Sequence, residues 1–475
     1  MPTILKPVFL AAIVPLAMAG CTSTNPKPAF DDVQKTVAAR TGQSVEWQRG
    51  HSSNEVAKAI GPLLKATLTA QSATAIALLN NRSLQAEFEE IGISQADLAR
   101  ASRLQNIELT GSWRFPNEPP SALDAEYSAT ANILDLLTLP ARKKIAARNL
   151  EQAKLQVANK VLRLAADTQM AFYTLQAQTE LAARLAEIGD ANAAAADLAQ
   201  RQFDAGDINE LELHERQSPS LQSQLDLMKA KAAAQAQRER LNRLLGLAGE
   251  QINWQIADEL PSLPATEPPL KNLEALAVAQ RLDLAAKRSR LESLAAALRL
   301  QKNTRYFPGV KAGVDTEAMQ NGQRVTGPTL DLELPLFDQG QPATARLTAV
   351  IEQAKDEYAA QEVNVRSEVR EALAALAAAR EAVAFSRTNL LPLQRRILGE
   401  TLLHYNGMQK NTYDLLLAKD REQQAEQSVV EATRDYWLAR VSLEFAVGGR
   451  LAMPAGATMP AMDPKEMQMP HNHQH

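Results

Sequence analysis

PARKKIAARNLEQAKLQVANKVLRLAADTQMAFYTLQAQTELAARLAEIGDANAAAADLAQRQFDAG, residues 140–206, decides the fold. After its first residue it holds no proline, and Ala, Leu, Arg, Lys, Glu and Gln, all strong helix formers, fill it. Pro140 is read as the first helical position, where proline is tolerated. About 65 residues rising about 1.5 Å each make a rod of about 100 Å. Leu150, Val157, Leu164 and Ala171 recur every seven residues, so the rod is expected to pack along its length. Gly206 ends it, and NELELHERQSPSLQSQLDLMKAKAAAQAQRERLNRLLG returns as a second helix, with Pro219 suggesting a restart capped by Ser218. The result is a long antiparallel helical hairpin.

The rest of the 475 residues follows the same bias, with 4% aromatic residues and a net charge of -4 spread along the chain. Nothing in that balance points to nucleic acid. Past the leader there is no apolar run long enough for a transmembrane helix. The leader, residues 1–20, carries Lys6 and then PVFLAAIVPLAMAG, a secretory signal. It abuts Cys21, the only cysteine. Small residues followed by a lone cysteine resemble the bacterial lipoprotein processing box, so Cys21 is the expected site of a covalent lipid. Residues 21–71 are read as a lipidated tether, extended at first, with a short helix near 54–69.

The chain then repeats itself. SATAIALLNNRSLQAEFEEIGISQADLARASRLQ from Ser72 has a counterpart about 200 residues later, LEALAVAQRLDLAAKRSRLESLAAALRLQKNTR, with Leu84 matching Leu284. Leu134 to Leu137 align with Leu334 to Phe337, Asp135 standing where the second copy has Pro335. Pro140 aligns with Pro342, Gly206 with Gly407, and Leu241 to Gly246 with Leu443 to Gly448. A period this long marks a duplicated unit rather than a solenoid. The repeats are 72–259 and 273–450, joined by the Pro-rich linker 260–272. In the second, the long helix is expected over about 342–406 and its return over about 410–447. The tip turns differ by one residue in spacing, which predicts two unlike hairpin ends.

Between the helices the period changes to two. Ile107, Leu109, Gly111, Trp113 and Phe115 alternate with polar residues, and so do Tyr127, Ala129, Ala131 and Ile133. Val310, Ala312 and Val314, then Leu330, Leu332 and Leu334, repeat the pattern. Strands of this length with one apolar face suit an outer-membrane barrel, and equally a sheet packed on a helix. Four strands close no barrel, and open edges do not occur in lipid, so membrane insertion requires several chains.

ALLNNRSLQAEFEEIGISQADL, RQFDAGDINELEL, LHYNGMQKNTYDLLLAKDREQ, LELPLFDQGQ and RERLNRLLG, in this duplicated order, resemble the TolC-like outer-membrane factor family over about 72–450. The resemblance implies a mainly α protein with a membrane β-barrel portion. Duplicated helical hairpins would form an α-barrel, and four β-strands per protomer would complete a 12-stranded barrel in a homotrimer. It implies a lipid-anchored protein of the Gram-negative outer membrane whose helical tunnel crosses the periplasm. Its partners would be a periplasmic adaptor protein, an inner-membrane transporter and outer membrane lipid.

No catalytic constellation is present: His51, His214 and His404 are scattered, and no resident cofactor is expected. Candidate site residues lie at the expected periplasmic mouth. Gly206 and Gly407 are turn residues, while Asp204, Asp207, Glu210 and Glu212 surround the first turn. Acids also suit a helix start, but repeated around a narrow mouth they would attract cations. Gly189 and Pro392, each shortly before a tip, are hinge candidates. The last segment, 451–475, reads as disordered. Met453, Met459, Met462, Met467, Met469, His471, His473 and His475 in it offer weak contacts for Cu(I) or Ag(I). Three readings remain: an efflux duct for copper, silver or other heavy-metal ions, a duct for drugs and small molecules, and a non-conducting coiled-coil envelope scaffold.

Overall fold

A computed structural model describes residues 23–49, 53–115, 117, 123–267, 270–306, 309–319 and 322–451. The first repeat contains α3 (Ala70–Asn80), α4 (Arg82–Ala101), β1 (Glu108–Arg114), β2 (Asp124–Asn132), α5 (Ile133–Asp204) and α6 (Glu210–Leu245), preceded by α1 (Lys27–Thr41) and α2 (Ser53–Lys65). The second contains α7 (Leu273–Gln280), α8 (Leu282–Thr304), β3 (Val310–Ala318), β4 (Arg324–Leu332), α9 (Gln341–Phe385), a π turn (Ser386–Leu390), α10 (Leu391–Asn406) and α11 (Thr412–Val447). The duplicated order read in the sequence is therefore the order of the fold.

α5 is the central post: α6, α8, α11, α4, α3 and α1 all pack on it. The seven-residue seam does face neighbours, since Leu150, Val157 and Ala171 are buried and Leu164 is partly so. One core gathers Phe30 and Val33 of α1, Phe88 and Ile91 of α4, and Val157 and Val161 of α5. A second joins Ile76 of α3 and Phe172 of α5 to Leu241 and Leu245 of α6 around the buried Trp254. The third holds Leu273 and Ala277 of α7, Val365 and Leu376 of α9, and Tyr436 and Leu443 of α11. Each fully buried side chain of this size contributes about 1.5–3 kcal/mol, so the middle of the molecule, where the cores lie, is its most stable zone.

Several elements differ from the sequence expectation, each for a local reason. Residues 27–41 form a helix where an extended tether was expected. A proline in the first turn is compatible with a helix, and Gly42, at φ 67°, ends it. The single helix expected from Ser72 is two, because Asn81 leaves the helical region and caps α4 by accepting from Leu84 N at 3.0 Å. Arg281 makes the same break between α7 and α8. α5 starts earlier than Pro140, at Ile133, with the Asn132 side chain accepting from Leu134 N, so Pro140 lies inside the helix. In the second repeat Pro335 and its neighbours keep 333–340 non-helical, and α9 starts at Gln341 with Pro342 in its first turn. α6 runs unbroken through Pro219 instead of restarting at Ser218. That proline is exposed, where a carbonyl lacking its donor is open to water.

The linker 260–272 is a strap without helix or strand among its described residues. Glu267 in it binds Arg380 of α9 and Tyr436 and Arg440 of α11. Burial pushes the Tyr436 hydroxyl up to about 12, with the Glu267 hydrogen bond acting in the same direction.

Candidate functional site

The four strands form one antiparallel sheet in the order β1-β2-β3-β4, so β2 and β3 join the two repeats. Its register sorts the side chains by chemistry. Gly111, Tyr127, Thr316 and Thr326 lie in one row, and Leu109, Ala129, Val314 and Pro328 in the next on the same face. Trp113 and Leu330 also belong to this face, and Leu109 is 80% exposed. The Trp113 indole donates to the Tyr127 hydroxyl at 3.1 Å. On the opposite face stand Glu108, Arg114, Glu126, Lys311, Asp315 and Asp331. Lys311 pairs with Glu108 at 2.5 Å and Arg114 with Glu126 at 3.0 Å. Gly313 admits no side chain, since a Cβ there would come 2.0 Å from the Ala129 carbonyl oxygen. Among the described residues no helix covers the apolar face: Leu109, Trp113, Tyr127, Val314 and Leu330 are all exposed. Among the described residues of the single chain, nothing pairs with the outer edges of β1 and β4. Among the described residues no helix is long and apolar enough to cross a membrane.

At the far end of α5 and α10 are the two tips. Contrary to the expectation of unlike ends, they share one turn. Asn209 and Asn411 cap the returning helices, accepting from Glu212 N and Asp414 N at 2.9 Å. At the first tip Asp207 N bonds Gln202 O and Gly206 N bonds Phe203 O; at the second Gln409 N bonds His404 O and Met408 N bonds Tyr405 O. Both are Schellman turns. The left-handed slot is Gly206 (φ 82°) in one and Met408 (φ 56°) in the other. Gly407, expected as the turn residue, is the right-handed cap before it, at φ -82°.

Asp204, Asp207 and Glu210 around the first turn are exposed and loosely held, while Glu212 is half-buried, 3.6 Å from Arg216. Gln200 donates to Asp204 at 2.9 Å, and Glu210 lies 3.7 Å from His214. The tips also touch through residues the sequence reading missed. Gln202 Oε1 accepts from Arg216 Nη1 and from the Tyr413 hydroxyl, both at 2.9 Å. The Arg216 guanidinium sits 4.1 Å from the Tyr413 ring centre, a cation–π contact. This clasp joins α5 and α6 of one hairpin to α11 of the other. Behind it lies a cleft of roughly 610 Å³, lined by Ile188, Asn192, Pro219, Leu416 and Asp420 among others. Burial pushes the Asp420 carboxyl up, against the nearby Arg421. Farther along, Arg184 of α5 and Arg395 of α10 share Glu426 of α11, at 3.5 and 2.9 Å. Tyr413, an aromatic beside a capping asparagine in a chain poor in aromatics, was the one local hint of this contact.

The hinge candidates have unlike surroundings. Gly189 lies in unbroken helix, where an added Cβ would meet nothing within 4 Å. Pro392 stands in the first turn of α10, one residue past the π turn 386–390, whose last bond runs from Leu391 N to Ser386 O. Cys21 and the Met and His residues from Met453 to His475 lie outside the described residues. Among those described, no group of three or more His, Cys, Asp or Glu could hold a metal ion.

Comparison with known proteins agrees with this geometry. Residues 73–247 match the model of a family described as outer membrane efflux protein. The cobalt-zinc-cadmium resistance protein CzcC of Cupriavidus metallidurans is 24% identical over 371 residues, which cover 76% of this chain and 84% of that protein. The CmeC outer membrane channel of Campylobacter jejuni superposes with a TM-score of 0.70 at 16% identity, over 80% of this chain and 85% of that one. CusC, whose crystal structures concern folding and transmembrane channel formation, superposes with a TM-score of 0.68 at 16% identity, over 86% of this chain and 98% of that one.

Proposed function

The chain belongs to the outer membrane efflux protein family, and from that premise we propose that it is the non-enzymatic exit duct of a tripartite efflux system. Three copies pair β4 of one with β1 of the next to close a twelve-stranded barrel, and their helical hairpins line a periplasmic tunnel. The observation that carries this reading is the sheet: one bare apolar face, one charged face and two free edges, with β2 passing straight into α5 at Asn132. In lipid those edges must be paired, and a closed barrel pairs them. An inner-membrane transporter and a periplasmic adaptor protein supply the cargo, which leaves passively.

The cargo proposed is heavy-metal cations, supported by the likeness to a cobalt-zinc-cadmium resistance protein. Copper or silver ions would in addition make weak contacts with the Met and His residues between Met453 and His475. The acids at Asp204, Asp207 and Glu210 favour cations at the mouth. A lipid on Cys21 is the second anchor. In its support, Gln95 of α4 holds the Ser23 carbonyl at 2.6 Å, two residues from Cys21, on the helix that leads into β1.

The test is mass in detergent, conductance in a planar bilayer and metal tolerance of a deletion strain. A conducting trimer and a strain hypersensitive to cobalt, zinc, cadmium or copper are expected. A stable, non-conducting monomer would leave an envelope scaffold instead. Lost tolerance to organic antimicrobials alone would overturn the cargo and keep the duct.

A further inference from the structure

Where α4 gives way to β1, the chain carries charge that the passage of cargo does not use. An open notch of roughly 650 Å³ lies between the last turn of α4, residues 103–106 and α5, with Thr24 on its wall. Arg100, Arg103 and Arg142 line it, and Asp97 is the one acid among its lining residues. Arg142 is held in place, 3.6 Å from the Asp135 carboxylate, and its buried Nε has no acceptor among the described residues. Arg100 and Arg103 are exposed and form no ion pair among the described residues.

The negative end of a helix dipole, equivalent to about half a charge, accounts for one cation near the last turn of α4. Three guanidinium groups converging on one notch exceed that, and guanidinium matches phosphate oxygens in pairs. Leu104 on the notch wall is 48% exposed, and Ile107, 65% exposed, continues it toward the apolar face of the sheet. Cations beside a bare apolar surface at the foot of a sheet match one ligand chemistry. The geometry points to a site for an anionic phospholipid of the periplasmic leaflet, its phosphate held by Arg100, Arg103 and Arg142 and its acyl chains lying along Leu104 and Ile107. This rests on the membrane placement of the sheet proposed above.

The full-length protein, purified in detergent, is titrated with phosphatidylglycerol and with phosphatidylethanolamine, and bound lipid is counted by native mass spectrometry. Phosphatidylglycerol is expected to bind preferentially, and the double variant R100Q/R103Q to bind it roughly thirtyfold more weakly. R100K/R103K keeps the charge and should retain most of the preference, while K229Q/K231Q on α6 should bind as the parent does. Equal binding of the two lipids, an unchanged R100Q/R103Q, or displacement of the lipid by inorganic phosphate at millimolar concentration overturns the site. Flotation with vesicles separates the two readings. A parent chain that floats with phosphatidylglycerol-containing and phosphatidylethanolamine-only vesicles alike, without lipid preference, removes this site only. One that floats with neither removes the membrane placement as well.

Discussion

The two repeats use one plan and two kinds of joint. Where α3 meets α4, Asn80 and Asn81 donate their side-chain amides to Leu244, Leu245 and Gly246 carbonyls at the end of α6. At the matching break between α7 and α8, Arg281 reaches the Ala446 carbonyl at the end of α11 and pairs with Asp283 and Glu368. The long helices differ in the same direction. α5 is a single post buried along much of its length, whereas its counterpart is split by a π turn, and α10 buries no residue at all. Duplication thus supplied one hairpin buried along its post and one less buried and broken by a π turn, so any motion at the tips is expected in the second.

The largest effect should come from the ionic joint. The Arg281 side chain is 7% exposed, so Arg281→Ala strands Asp283 beside a buried gap, and a loss of about 3 kcal/mol is expected, at the low end for a buried pair because Glu368 is half-exposed. Asn81→Ala removes a cap and one amide bond, for about 1–2 kcal/mol. Thermal unfolding of both variants in detergent decides the order. Should Asn81→Ala prove the more damaging, the contrast between the joints is misjudged.

How much of this was readable follows from where each signal resides. Helix order, strand alternation and the strap depend on residues near one another in sequence, and they were legible. Short-range exceptions were not. Pro28 occupies the first turn of a helix in a segment expected to be extended, Asn132 caps a helix although the strand alternation runs on to Ile133, and Pro219 is tolerated because it faces outward. The clasp of Gln202, Arg216 and Tyr413 could not be read, since it depends on two hairpins meeting some 200 residues apart. The two hairpin turns were thus placed from sequence, while the contacts that hold them together were invisible there.

The next prediction tests which hairpin moves. Tyr413→Phe deletes one hydrogen bond of the clasp, worth about 1 kcal/mol, and should raise the ratio of open to closed channels about fivefold. Pro392→Ala works the other way: a restored N–H lets the helical ladder close over the π turn, and open probability should fall. Gly189→Ala should stabilise α5 by up to about 1 kcal/mol and leave open probability unchanged. Single-channel recording reads all three. If Gly189→Ala alters gating and Pro392→Ala does not, the first hairpin is the mobile one.

The smallest shift in melting temperature tests the equivalence of the tips themselves. Gly206 and Met408 occupy the same left-handed slot of the same turn, yet only one is a residue suited to it. A side chain in that region costs about 1–2 kcal/mol, because Cβ crowds the following carbonyl oxygen. Met408 is 95% exposed, so its side chain recovers nothing by packing. Met408→Gly should therefore relieve strain, and Gly206→Ala, with open space around it, should introduce a similar amount. Some of the gain at 408 is offset by the greater backbone freedom of glycine in the unfolded chain. The two variants should shift the melting temperature in opposite directions, each by no more than about 2 °C in a protein of this size. Shifts of the same sign would mean that the second tip is held by contacts in the assembled channel, and that its turn is not the free-standing twin of the first.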